Sequence, residues 1–174
     1  MVRNILLFTV LLIFCVLLQT TVFSYLSIFE TRPDLALIVI VFMALYKGSN
    51  ISQISGFLSG LVEDCLSLSP LGFHAFIRAL TGFIIGLFKD KISVNTVVFP
   101  IVIIPLATLF KYCVSFVLSL IFTVKTDLSF FLSVKLPIEI GYNITVGLVI
   151  YFFIRLFSYP SDNISPRFRS GYDK

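Results

Sequence analysis

Seven side chains of this 174-residue chain have the chemistry to act together: Glu63, Asp64, His74, Arg78, Lys111, Glu139 and Asn143. Carboxylates near a histidine can move protons, and Glu63 and Asp64 lie shortly before His74. No nucleophile motif accompanies them, and glycine-rich phosphate loops and Ser/His/Asp arrangements are absent from the sequence. Glu63, Asp64, Cys65 and His74 include metal-ligating types, but one histidine without ligand spacing is a weak metal signature. The bland alternative is that acids and bases pair and hold helices together. Which reading prevails depends on the elements that carry these residues.

Those elements are membrane helices. The chain is 58% apolar and 13% charged, with 20 Phe and no Trp, and a water-soluble domain of this size could not bury so much apolar surface. Apolar runs of about 20 residues recur, matching a bilayer core ~30 Å thick. The pattern predicts an all-α, polytopic membrane protein with six transmembrane helices, at about 5–26, 33–46, 51–68, 71–88, 97–124 and 134–157. A basic cytoplasmic tail, 158–174, contains Pro160 and Pro166 and is expected to be disordered. The net charge of +4 sits mainly at segment ends and in the tail, which suits orientation in a bilayer and not nucleic-acid binding.

Several local expectations follow. The N-terminal run after Met1-Val2-Arg3-Asn4 reads as an uncleaved signal anchor. Its far end is polar from Gln19 to Ser24, with Tyr25 and Phe29 at the interface. Pro33 is placed at the first position of the second helix, with Asp34 beside it complementing the helix dipole. That helix is short, ~21 Å, so it must lie mostly within protein or under a thinned bilayer. Lys47-Gly48-Ser49-Asn50 reads as a turn in which Gly48→Leu is tolerated. Pro100 and Pro105 predict a kink or an interfacial lead-in before the fifth span, and Phe130 and Phe131 dip into the interface. Cys15, Cys65 and Cys113 form no disulfide framework and are expected to be buried free thiols.

Orientation follows from the basic residues. Cytoplasmic N- and C-termini place Arg3, Lys47, Lys89, Lys91, Arg155, Arg167, Arg169 and Lys174 inside. Only Arg32, Lys125 and Lys135 are left outside. Counting helical rise from the outer boundary puts Arg78, Lys111 and Glu139 at ~8–10 Å depth. Glu63, Asp64, His74 and Asn143 share this layer. Charges in lipid are costly, so they should face inward and pair, Asp64 with Arg78 and Glu139 with Lys111. Glu63 is expected to reach the interface or His74.

Two stripes of small and polar residues recur every fourth position: Ser52, Gly56, Gly60 and Asp64, then His74, Arg78, Gly82 and Gly86. On helices each stripe keeps to one face. An antiparallel hairpin, taken as the centre of the protein, would match Gly60 with Gly82 and Gly56 with Gly86, bringing backbones close. A third stripe, Glu139, Asn143, Gly147, Tyr151 and Arg155, marks the last helix.

Gly60-Leu-Val-Glu-Asp64 followed by Ser69-Pro-Leu-Gly-Phe-His-Ala75 resembles the MreD family of rod-shape-determining proteins. The motif positions are Pro33, Asp34, Asp64, Pro70, Leu71 and Gly72, and Leu68 stands where the family often has glycine. The resemblance implies a non-enzymatic subunit of bacterial cell elongation in the cytoplasmic (inner) membrane, with no catalytic residues, metal or cofactor. It implies an MreC-like single-span partner and, indirectly, the MreB filament and the RodA–PBP2 peptidoglycan synthase. It also implies a fold similar to the S components of energy-coupling-factor transporters, hence a second reading as a vitamin-binding subunit. The outer polar layer discriminates: mutually neutralised charges make a lock, and an open cavity makes a pocket.

Overall fold

A computed structural model describes residues 2–21, 31–67, 69–89, 91, 98–122 and 135–157. Among them are six helices and no strand: α1 (Val2–Thr21), α2 (Leu35–Lys47), α3 (Ser49–Ser67), α4 (Phe73–Gly86), α5 (Val98–Phe122) and α6 (Lys135–Phe157). Three are long and apolar enough to cross a membrane, over Val2–Thr21, Pro100–Phe122 and Lys135–Leu156. The polar far end of the first span beyond residue 21, the loop with Phe130 and Phe131, and the 158–174 tail lie outside the described residues.

α2 is the hub. It packs against all five other helices, and ten of its thirteen residues are buried. At 13 residues its length is ~20 Å, and nearly all of it is wrapped by protein. The sequence reading had put the α3–α4 hairpin at the centre. That hairpin is the most extensive helix pair, but α2 carries the core, because an apolar helix too short for a bilayer is stable only when its neighbours surround it. One cluster joins Ile38, Val41, Phe42 and Leu45 of α2 to Ile104 and Ala107 of α5 and Tyr151 of α6. Another joins Ala36, Ile40 and Met43 to Leu12 and Val16 of α1.

α3 is built inside out relative to a helix of a soluble protein. Its buried residues are Ser52, Ser55, Gly56, Ser59, Gly60, Glu63 and Asp64, while Ile54, Phe57, Leu58 and Leu66 are exposed. Lipid has no quarrel with exposed Leu, so close packing of small residues drives association instead. A Cβ at Gly56 would meet the Arg78 carbonyl oxygen at 2.9 Å, and one at Gly82 would meet that of Ser52 at the same distance. Gly60 faces the backbone of His74 and Ala75, and Gly86 that of Ser49. The Ser52 hydroxyl donates across the pair to the Gly82 carbonyl (2.8 Å), and Ser55 donates to the Ile5 carbonyl of α1 (3.3 Å).

This register corrects the expected one. Glycine does not face glycine; each sits against the backbone of a different residue on the partner helix, two turns away from the predicted match. The reason is that α4 starts level with Asp64 and not beyond the end of α3.

Other junctions differ as well. Asp34, not Pro33, opens α2: it is the N-cap, and its carboxylate accepts the Leu37 N–H (2.9 Å). α3 begins at Ser49, so Gly48 alone joins it to α2, with φ +89°. That left-handed conformation, with Lys89 Cδ 3.3 Å from any added Cβ, reverses the expectation that Gly48→Leu is tolerated. α5 runs unbroken through Pro105, with Pro100 in its first turn and no separate lead-in among the described residues. Cys15 is buried, but Cys65 and Cys113 are on the exterior.

Candidate functional site

At the end where α2, α4 and α6 begin and α1 and α3 finish, polar side chains from all six helices converge. Two groupings are distinct.

The first is the turn between α3 and α4. Gly72 precedes α4 in a left-handed conformation (φ +96°) and has no side chain to cap the helix. The free N–H groups of the first turn need an acceptor, and Asp64 supplies it from α3. Its Oδ2 accepts from Gly72 N–H (2.9 Å) and Ala75 N–H (3.3 Å), and its Oδ1 from His74 N–H (2.8 Å). His74 Nδ1 is also 2.8 Å from Oδ1 and 3.1 Å from the Ser69 hydroxyl. Asp64 is only 2% exposed. The expected Asp64–Arg78 pair therefore does not form. Backbone donors occupy the carboxylate, and a negative charge at a helix N-terminus is favourable in itself.

The second grouping surrounds Asp34. Lys111 of α5 pairs with Asp34 Oδ2 at 3.0 Å and with Glu139 of α6, the partner expected for it. Tyr112 donates its hydroxyl to the other oxygen of Glu139. Arg78 pairs with Glu63 and lies 4.0 Å from Asp34 Oδ1. Gln19 of α1 donates to Glu63 Oε1 (3.0 Å), and its own carbonyl accepts the Ala36 N–H (3.4 Å). Asn143, fully buried, accepts the Asp34 N–H (2.8 Å) and donates to Thr108 Oγ1 (3.1 Å), tying α6 to α2 and α5. Gly147, one turn further along the same stripe, packs on Ile104 and Ile38.

Of the seven residues singled out from the sequence, Glu63, Arg78, Lys111, Glu139 and Asn143 join this second network, and Asp64 and His74 belong to the turn. Gln19, Tyr112 and Thr108 were not singled out, and Asp34 was read as a motif residue and dipole partner but not as a member of this network. The signal for Asp34 was the shortness of α2, which sets its N-cap among the neighbouring helices.

The charges pair, yet space remains. A cavity of about 330 Å³ opens beside the network, bounded by parts of every helix and by residues 31–34. Both halves of the sequence discriminator are thus met, a lock with a pocket next to it.

Residues 1–159 match the family model described as rod shape-determining protein MreD. The chain belongs to the MreD family. No curated protein and no solved structure matches it. Rod-shape determination is the role this membership assigns. The residues that first suggested the family divide between the two groupings. Pro33 and Asp34 precede α2, with Asp34 as its N-cap, while Asp64, Pro70, Leu71 and Gly72 belong to the turn between α3 and α4. There the Pro70 carbonyl accepts Phe73 N–H at 3.0 Å, and Leu71 is exposed on the outside.

Proposed function

We propose that the chain is a six-span, multi-pass protein of the bacterial cytoplasmic membrane with both termini in the cytoplasm. It acts as a non-enzymatic subunit of the elongation machinery. Its apolar exterior holds an MreC-like single span, and through that partner it bears on the MreB filament and the RodA–PBP2 synthase. The observation that carries this reading is how the ionisable interior is spent. The carboxylates of Asp34, Glu63 and Glu139 and the cations Arg78 and Lys111 are engaged with one another, and Asp64 is engaged with backbone. Charges paired in this way fix helices against one another. Membership of the MreD family supports the assignment to cell shape.

The test is depletion in a rod-shaped bacterium, with recovery of bound chains from native membranes. Rounded cells and co-purification of a single-span partner are expected. Normal wall growth with loss of vitamin uptake would instead establish the S-component-like reading, which the outer cavity favours. A cytoplasm-only reporter should work after Lys174 and fail near Arg32; the opposite pattern would overturn the six-span orientation.

A further inference from the structure

The cavity beside the network is walled largely by charged and polar side chains. Its charged lining comprises four cations, Arg32, Arg78, Lys111 and Lys135, against three carboxylates, Asp34, Glu63 and Glu139. Each carboxylate already has two partners. Glu63 is held by Gln19 and Arg78, Asp34 by the Leu37 N–H and Lys111, and Glu139 by Lys111 and Tyr112. Glu63 Oε2 is buried without a hydrogen bond but is held by the Arg78 ion pair, whereas on the donor side one nitrogen has neither. Arg78 carries five N–H donors, its Nη2 makes the ion pairs, and its Nη1 is buried without a hydrogen-bond partner. Buried guanidinium nitrogens left unpaired are costly and uncommon in native structures. Arg32 stands exposed among the lining residues, outside these pairs. At about 330 Å³ the space is at the small end of ligand cavities.

We propose that this cavity binds an oxyanion, the phosphate of a small phosphomonoester or of a lipid headgroup, with Arg78 and Arg32 as its principal contacts. A guanidinium fork matches a phosphate in shape as well as charge. A cationic ligand is disfavoured because no carboxylate in the wall lacks a partner. The proposal goes beyond the role in cell shape and does not depend on it.

Glycerol phosphate and phosphatidylglycerol are suitable probes of the two sources. Full-length protein in detergent is heated with glycerol phosphate or with sodium chloride at equal ionic strength. A saturable rise in melting temperature with the phosphate alone identifies a soluble ligand. If only the lipid binds, the protein should melt higher in phosphatidylglycerol nanodiscs than in phosphatidylcholine ones, and native mass spectrometry should find the lipid retained. In either case Arg32→Gln, which breaks no ion pair among the described residues, should weaken binding about tenfold, the worth of a single lost charged contact. Lys91→Gln, at the opposite end, should leave it unchanged. Arg78→Lys tests the buried contact wherever that variant folds. No response to either probe, or equal weakening by Arg32→Gln and Lys91→Gln, would overturn the proposal and leave the cavity to water.

Discussion

Asp34 and Asp64 each present a carboxylate to the first turn of a helix, but they serve different structures. Asp64 faces backbone N–H groups supplied within eleven residues of itself, and among the described residues its side-chain hydrogen-bond partners are His74 and Ser69. Asp34 caps its own helix and then meets Lys111, 77 positions away, with Arg78 close by. The first is a local device that fixes how two consecutive helices meet. The second is a long-range device that fixes how separate helices cluster. Charge is needed at Asp34 and mainly acceptor geometry at Asp64.

Replacing each by asparagine separates these roles. Asp34→Asn leaves Lys111 and Arg78 short of a counter-charge and should cost ~3–5 kcal/mol in detergent stability, as for other broken buried pairs. Asp64→Asn keeps one acceptor oxygen and should cost less, about 1–3 kcal/mol for the backbone donors left unmet. Equal losses would erase the distinction. Next in size is the hairpin that Asp64 serves. Gly60→Ala pushes a methyl into the backbone of Ala75 and should cost ~1–3 kcal/mol. Gly141→Ala, with nothing near its Cβ, should be neutral or slightly stabilising.

Pairing itself is read by double-mutant cycles. Glu63→Gln with Arg78→Met should show coupling of about 0.5–3 kcal/mol, whereas Asp64→Asn with Arg78→Met should be additive. Coupling in the second cycle would restore the pairing that the sequence suggested. Lys111→Met with Glu139→Gln should couple as well, but leaves Asp34 without its lysine, so the double variant remains destabilised. A loss without any steric contact is expected at Gly72, where space is open but the backbone is left-handed. Gly72→Ala should lower stability by ~1–2 kcal/mol through conformation alone.

The all-helical architecture of the described residues and the Lys111–Glu139 pair were legible in the sequence because hydropathy and rise per residue are one-dimensional. The hairpin register was not. It depends on Asp64 bonding to the backbone of α4, and backbone donors leave no mark on residue type beyond Gly72. The competition between Asp64 and Glu63 for Arg78 was equally hidden. The two acids are adjacent in sequence, and only the rotation of α3 decides which one faces the arginine. Asp34 was read only as a helix-dipole partner beside Pro33, whereas the shortness of α2 also brings it to Lys111 and Arg78.

The separation between Asp34 and Lys111 also bears on the order of assembly. The first four helices are joined by contacts that need neither α5 nor α6, so they can gather while the chain is still being made. Through that interval Asp34 has Arg78 within reach but not the lysine that neutralises it. Lys111, Glu139 and Asn143 all lie on α5 and α6, so the network can close only after those helices arrive. A chain arrested after α4 keeps an acid in its interior without its main counter-ion, and that defect sets an unfinished molecule apart from a complete one.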